Sequence, residues 1–333
     1  MSPRFKTESA EAVYHCISYL NNGIVLDTGA REVLRQHLWR NAEFCGVQIL
    51  TYVIMPDHFR VLVRVPAKTD VPDAELLRRH KVLYPKPSAS LAAILKGLPA
   101  LLKTNDPVAA AWRKQQLGRM HNVSQFMKFL KQHFSRWLNR AHNCRGTAWS
   151  ERFKSVIVED RADVLTTMSA YLDLTPVRAG LADNPKDYPY CGYAEALNGN
   201  KSAQAGIIYS VTGGQPGGTW RDAHEAYRLS LFGDSDGDGA KQRADKEVSV
   251  TPARLEKAMK GESPLPLAGV LRREVRHFTD GGVIGGKEFV ARHLARYQRK
   301  TGLRKHLSAQ ALPPVTEWGD IAAMRNLRKN AIK

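Results

Sequence analysis

The sequence predicts an α+β fold, an antiparallel sheet with helices on one face. Three observations predict it. The stretch 50–66, LTYVIMPDHFRVLVRVP, holds two apolar runs rich in β-branched residues joined at Pro56-Asp57, which reads as two antiparallel strands and a tight turn. The stretch 124–143, SQFMKFLKQHFSRWLNRAHN, puts Phe126, Phe129, Leu130, Phe134, Trp137 and Leu138 at helical spacing on one face. Strand-like and helix-like segments also alternate in a fixed order along the first 200 or so residues.

In chain order, AVYHCISYL (12–20) alternates enough to be a strand. His15 lies within it, and an isolated strand histidine reads as a packed or surface residue rather than a ligand. Asp27-Thr28 offers an N-cap, Val33, Leu34, Leu38 and Trp39 follow at helical spacing, and Gly46 ends the helix. The strand pair 50–66 comes next. Residues 67–122 read as a helical insertion with prolines between and within its helices, too long for a plain loop. The amphipathic helix opens at Ser124. GTAWSERFKSVIVED (146–160) reads as a strand or hairpin. Residues 162–181 form a helix that carries Tyr171 and that Pro176 should end or kink. The order β-α-β-β-(insertion)-α-β-α is the ferredoxin-like βαββαβ pattern with one extra helix.

Beyond about residue 200 glycine pairs and GDSDGDGAKQRADKE read as a partly flexible linker over 198–250. Residues 251–333 read as a small, basic, mainly helical region, with helices over 251–260 and 271–277. FTDGGVIGGKEFVARHLARYQRK gives a Gly-rich turn before a basic helix. Asp234, Asp236 and Asp238 imitate a calcium-loop start, but Lys241 and Asp245 break the pattern, so the segment reads as an acidic linker. GGVIGG does not match a dinucleotide-binding glycine loop.

Composition narrows the function classes. Among 333 residues, 50 Lys and Arg face 32 Asp and Glu, a formal charge of +18. That balance suits a polyanionic partner, nucleic acid or an anionic surface, and the plainer alternative is a basic-surfaced protein with neither. No apolar run is long enough for a membrane span, so no membrane partner is expected. The first residues lack the apolar core of a signal peptide. Cys16, Cys45, Cys144 and Cys191 show no CxxC spacing, which suits reduced thiols in a cytoplasmic protein.

On the second strand of 50–66, His58 and Arg60 point to one face, Phe59 and Val61 to the other. Two histidines at this spacing would be a metal-binding pair. Arginine has donors only and cannot ligate a cation.

MPDHFRVLV, GTAWSERFKSVIVED, YLDLTPVRAGL and NPKDYPYCGY together resemble the single-tyrosine HUH transposases of the insertion-sequence 200 group, in particular the REP-associated tyrosine transposases. The resemblance covers about residues 10–197. It implies a ferredoxin-like transposase domain, usually dimeric, so a homodimer is expected. It also implies binding of single-stranded or hairpin DNA and strand cleavage and rejoining (DNA transposition) through a 5′-phosphotyrosine. In that pattern Tyr171 is the catalytic nucleophile and His58 a metal ligand. The second histidine falls on Arg60, and the helix-borne ligand on Thr175. Mg²⁺ or Mn²⁺ would be the cofactor, since attack by a weakly nucleophilic phenol needs a cation on the phosphoryl oxygen.

Arg60 and Thr175 depart from the pattern. One histidine and a threonine make a weak site for a divalent cation. The side chain of Asp57 should face the other way on a regular strand. Arg60 suits direct binding of phosphate. An impaired nuclease that still binds DNA is therefore expected. A non-catalytic DNA-binding protein is the alternative, and an RNA-binding or structural role a third. The candidate DNA-binding residues are Arg60, Lys128, Lys131, Arg136, Arg140, Arg152, Lys154 and Arg178. Between 124 and 161 there are eight Lys and Arg against three Asp and Glu, a basic side that serves either solvent or phosphates.

Overall fold

β1 (Ala12–Tyr19) and β3 (His58–Val65) lie side by side, antiparallel, with Ile17 opposite Arg60 and Tyr19 opposite His58. β2 (Gln48–Ile54) pairs with β3, and β4 (Lys154–Val158) with β1, again antiparallel. The β2–β3 turn is closed by Met55 N–H donating to the His58 carbonyl. The computed structural model describes residues 11–233, 252–280, 282–301 and 309–324.

α1 (Thr28–Cys45) connects β1 to β2. It starts where the Asp27 carboxylate accepts from Ala30 N–H at 2.7 Å and stops at Gly46, whose φ of 62° is left-handed. α2 (Asp73–Leu83), α3 (Ala89–Lys103) and α4 (Pro107–Leu117) fill the stretch read as an insertion, and Leu98, Leu102 and Ala109 form a small apolar cluster there. α5 (Val123–Ala141) begins at Asn122, whose side chain accepts from the Ser124 and Gln125 amides, one turn position earlier than Ser124 suggests. It packs against α1. α6 (Ala162–Asp173) and the short α7 (Thr175–Arg178) follow β4. The break falls at Leu174, just ahead of Pro176.

Helices cover both faces of the sheet, not one. Tyr52 meets Trp39 of α1 edge-on, while its neighbour Thr51 donates to Asp173 of α6 at 2.8 Å. Phe59 packs on Trp149, which touches Phe134 of α5; Arg60 points to α6. The signal was in the sequence. β2 is buried at six consecutive positions, and an unbroken apolar run marks a strand covered on both sides.

Residues 201–232, inside the stretch expected to be a linker, form α9 (Lys201–Thr212) and α10 (Trp220–Phe232), which follow the short α8 (Gly192–Leu197). Ile207, Tyr227 and Leu231 are buried in the core. The glycine pair Gly213-Gly214 ends α9 with positive φ. Those glycines are a helix stop, not the start of a linker. The acidic segment 234–245 lies outside the described residues.

The C-terminal region is mainly helical over its described residues, and it also extends the sheet. β5 (Val283–Gly286) runs parallel to β4, β7 (Ile321–Met324) adds antiparallel to β5 and β6 (Ala309–Ala311) antiparallel to β7, giving the order β2-β3-β1-β4-β5-β7-β6. Gly285 and Gly286, read as part of a turn, are strand residues. A Cβ at Gly285 would lie 2.6 Å from the Cβ of Glu159, and Gly286 N–H donates to the Glu159 carboxylate. Close approach requires glycine there. α11 (Pro252–Met259), α12 (Leu267–Leu271), α13 (His277–Asp280) and α14 (Lys287–Thr301) complete the region. Residues 272–276, expected within one helix over 271–277, are not helical. No described helix is long and apolar enough to cross a membrane.

Candidate functional site

α6 packs on the face of β3 that carries His58 and Arg60, so Tyr171 meets Arg60. Tyr171 is fully buried. Arg60 Nη1 stands 3.5 Å from its hydroxyl, at the outer edge of hydrogen bonding. The Arg178 guanidinium lies 4.0 Å from the centre of its ring, and Phe278 of α13 closes on it edge-first at 4.9 Å. Arg178 donates to the Tyr171 carbonyl at 2.7 Å and to Thr175 Oγ1 at 2.8 Å, and through its other arm to the Leu271 carbonyl at 2.6 Å. Burial draws Arg178 down to about 10, with the Arg60 charge adding to the effect, so it remains a cation at neutral pH.

His58 sits between two partners. Its Nδ1–H donates to the Asp57 carboxylate at 2.7 Å, and Nε2 accepts from Arg60 Nε–H at 3.2 Å. Burial holds the imidazole below its usual range and Arg60 adds to this, while Asp57 works the other way. The expectation that Asp57 faces away is corrected. Asp57 precedes the first residue of β3, so strand alternation does not fix its side chain. His15, on β1 beside this site, is also buried and donates through Nδ1 to the Phe278 carbonyl at 2.8 Å.

A divalent cation does not fit this donor set. The His58 lone pair is engaged by Arg60, Thr175 Oγ1 accepts from Arg178, and two guanidiniums stand beside these groups, so a further cation there would meet like charge. Among the described residues no group of three or more His, Cys, Asp or Glu could hold a metal ion. The sequence-derived metal pair, His58 and Thr175, is brought together, but around arginines.

These side chains line a cavity of about 530 Å³ that includes His58, Arg60, Thr175 and Arg178, and Arg272, Arg273 and Glu274 complete it. Sequence reasoning missed these last three and Phe278. LRREVRHF shows only a basic run, and nothing local ties it to a strand more than 200 residues earlier.

A second, larger groove of about 960 Å³ runs along α5 and the segment before β4. Lys128, Lys131, Arg136 and Arg152 line it, together with the rings of Trp149 and Phe153. Lys131 Nζ donates to the Glu151 carbonyl at 2.7 Å and lies 5.2 Å from the Trp149 ring centre. Gln125, Gln132 and Asn139 add amides. Arg140 and Lys154 are exposed and line neither cavity; Lys154 pairs with Glu151 at 3.4 Å. The eight candidate residues therefore divide, with Arg60 and Arg178 in the first cavity, four in the groove and two in neither.

No family model and no curated protein matches the chain. A solved structure of a REP-associated tyrosine transposase bound to a REP hairpin is similar over 60% of this chain and 87% of that chain, at 14% identity and a TM-score of 0.36.

Proposed function

We propose that the chain is a DNA-binding protein built on the frame of the single-tyrosine transposases, taking single-stranded or hairpin DNA along the α5 groove without cleaving it. The order β2-β3-β1-β4, all antiparallel, supports reading this part of the sheet as ferredoxin-like. The observation that carries the binding reading is the groove itself. Four cationic side chains can track a phosphate backbone, and the half-buried Phe153 adds an aromatic ring to the same wall. Cleavage is disfavoured for two reasons. The Tyr171 hydroxyl is sealed from solvent, and the residues around it hold arginines where a divalent cation would have to polarise the phosphoryl oxygen.

The test is a titration of hairpin DNA, duplex DNA and hairpin RNA of the same sequence across a salt series. Hairpin DNA should bind tightest, with a steep fall in affinity as salt rises. Changing Lys131 and Arg136 together to Ala should weaken binding at least about 10-fold and flatten the salt slope by about two. Equal or tighter binding of RNA would favour the RNA reading. With Mn²⁺ on a denaturing gel no covalent protein–DNA band should form. A band that Tyr171→Phe abolishes would show an active transposase instead.

A further inference from the structure

We propose that the arginine cavity is a binding site for a phosphate monoester, built jointly by β3, α7 and residues 269–274 of the C-terminal region. Its natural occupant is a phosphorylated strand end, an assignment that rests on the DNA-binding reading above.

Arg60 is only 8% exposed, yet its two side-chain contacts, with His58 and Tyr171, are to neutral groups. Arg178 is partly buried and gives its hydrogen bonds to two carbonyls and the Thr175 hydroxyl, again all neutral. Neither makes an ion pair with a carboxylate among the described residues. Asp57 acts on Arg60, and Glu274 on Arg178, only at longer range, and the two guanidiniums disfavour each other. Buried cations are normally paired, because desolvation without a counter-charge is expensive. One buried and one half-buried cation on one wall of an open cavity call for an anion.

The remaining lining sharpens the choice of anion. Arg272, Arg273 and Glu274 line the same cavity beside Arg60 and Arg178. Guanidinium forks match phosphate oxygens in pairs. A monoester carries up to two negative charges and three free oxygens, against one charge for an internal diester. A strand running through would also need a second opening on the Tyr171 side, and there the ring is fully buried under Arg178 and Phe278. At about 530 Å³ the cavity has room for the terminal sugar as well.

Thermal unfolding with inorganic phosphate against chloride at matched ionic strength tests the site itself. Phosphate should raise Tm by several degrees at concentrations well above Kd. Arg60→Met should leave Tm in chloride unchanged or higher, since it removes an uncompensated buried charge, and should abolish the phosphate increment. Arg273→Ala, in a partly exposed position, should reduce the increment and serves as the second variant. No phosphate increment, or a full increment in Arg60→Met, overturns the proposal, even if hairpin DNA binds.

Hairpins with a 5′-phosphate, a 3′-phosphate or neither then test the source. One phosphorylated end should bind at least about 10-fold tighter, and Arg60→Met should erase the difference. A phosphate increment with no end preference supports the site and overturns the strand end as its occupant, leaving a free phosphate or small monoester. A phosphate increment with no DNA binding at all keeps the site and removes the DNA-binding reading.

Discussion

At the scale of single residues, position 60 decides the character of the site. A histidine there would accept a metal; arginine instead donates to His58 and stands over the phenol. This much was legible, because strand alternation puts 58 and 60 on one face and arginine has no lone pair to give. The environment of Tyr171 was not legible. Its cover, Phe278 and Arg178, comes from one residue 107 positions away and one a helical turn beyond a break, and no local rule joins them. The hydroxyl makes a single marginal contact at 3.5 Å. Tyr171→Phe should therefore change stability by no more than about 1 kcal/mol, because little hydrogen-bond energy is lost. Urea unfolding of the variant measures this. A loss of several kcal/mol would mean that the hydroxyl holds the Arg60 and Arg178 pair in place.

At the scale of elements, the boundaries of β1, α1, β2 and β3 follow from local chemistry. Asp27 caps, Gly46 stops and the Pro56-Asp57 turn separates two β-branched runs. The elements beyond residue 200 were misread because glycine has more than one use. Gly206 is an example. α9 passes β2 where the register shifts between Ile49 and Thr51, and a Cβ on Gly206 would lie 2.5 Å from the carbonyl oxygens of both Ile49 and Leu50. Such a contact cannot be relieved by turning a side chain. Gly206→Ala should cost about 3 kcal/mol, read as a drop in the denaturant midpoint with an unchanged m-value. If α9 were only a linker the change would be neutral, or slightly stabilising as alanine favours helix. Glycine pairs that stop a helix and glycines that admit a neighbouring backbone look the same in sequence as glycines that loosen a chain. Only the partner element distinguishes them.

At the scale of the whole molecule, the C-terminal region is joined to the first sheet by buried contacts that include two histidines. His15 bonds to the Phe278 carbonyl, and His277 precedes that residue. Two more, His37 of α1 and His133 of α5, face each other at 6.1 Å. Burial pushes His15 down to about 3, helped by Arg60, and pushes His37, His133 and His277 down to about 4. Each is therefore neutral in the folded chain near pH 5, whereas in the unfolded chain it binds a proton below its ordinary value of about 6.5. The unfolded state then holds more protons, so stability is full above about pH 6.5 and is lost as pH falls toward 4, by up to about 1.4 kcal/mol per pH unit for each histidine. Asp173 opposes them. Burial raises it to about 7 although Tyr227 and Thr51 donate to it, so it gains stability as pH falls through the same window and cancels about one histidine's share. Acid loss should still win, by roughly four protons to one. Urea midpoints measured from pH 7.5 to 4.5 should fall steadily, and calorimetry in buffers of different ionisation enthalpy should register net proton uptake on unfolding at pH 5. A flat profile would mean that these histidines titrate in the folded chain, and so that the joint between the C-terminal region and the sheet opens to water well before the molecule unfolds.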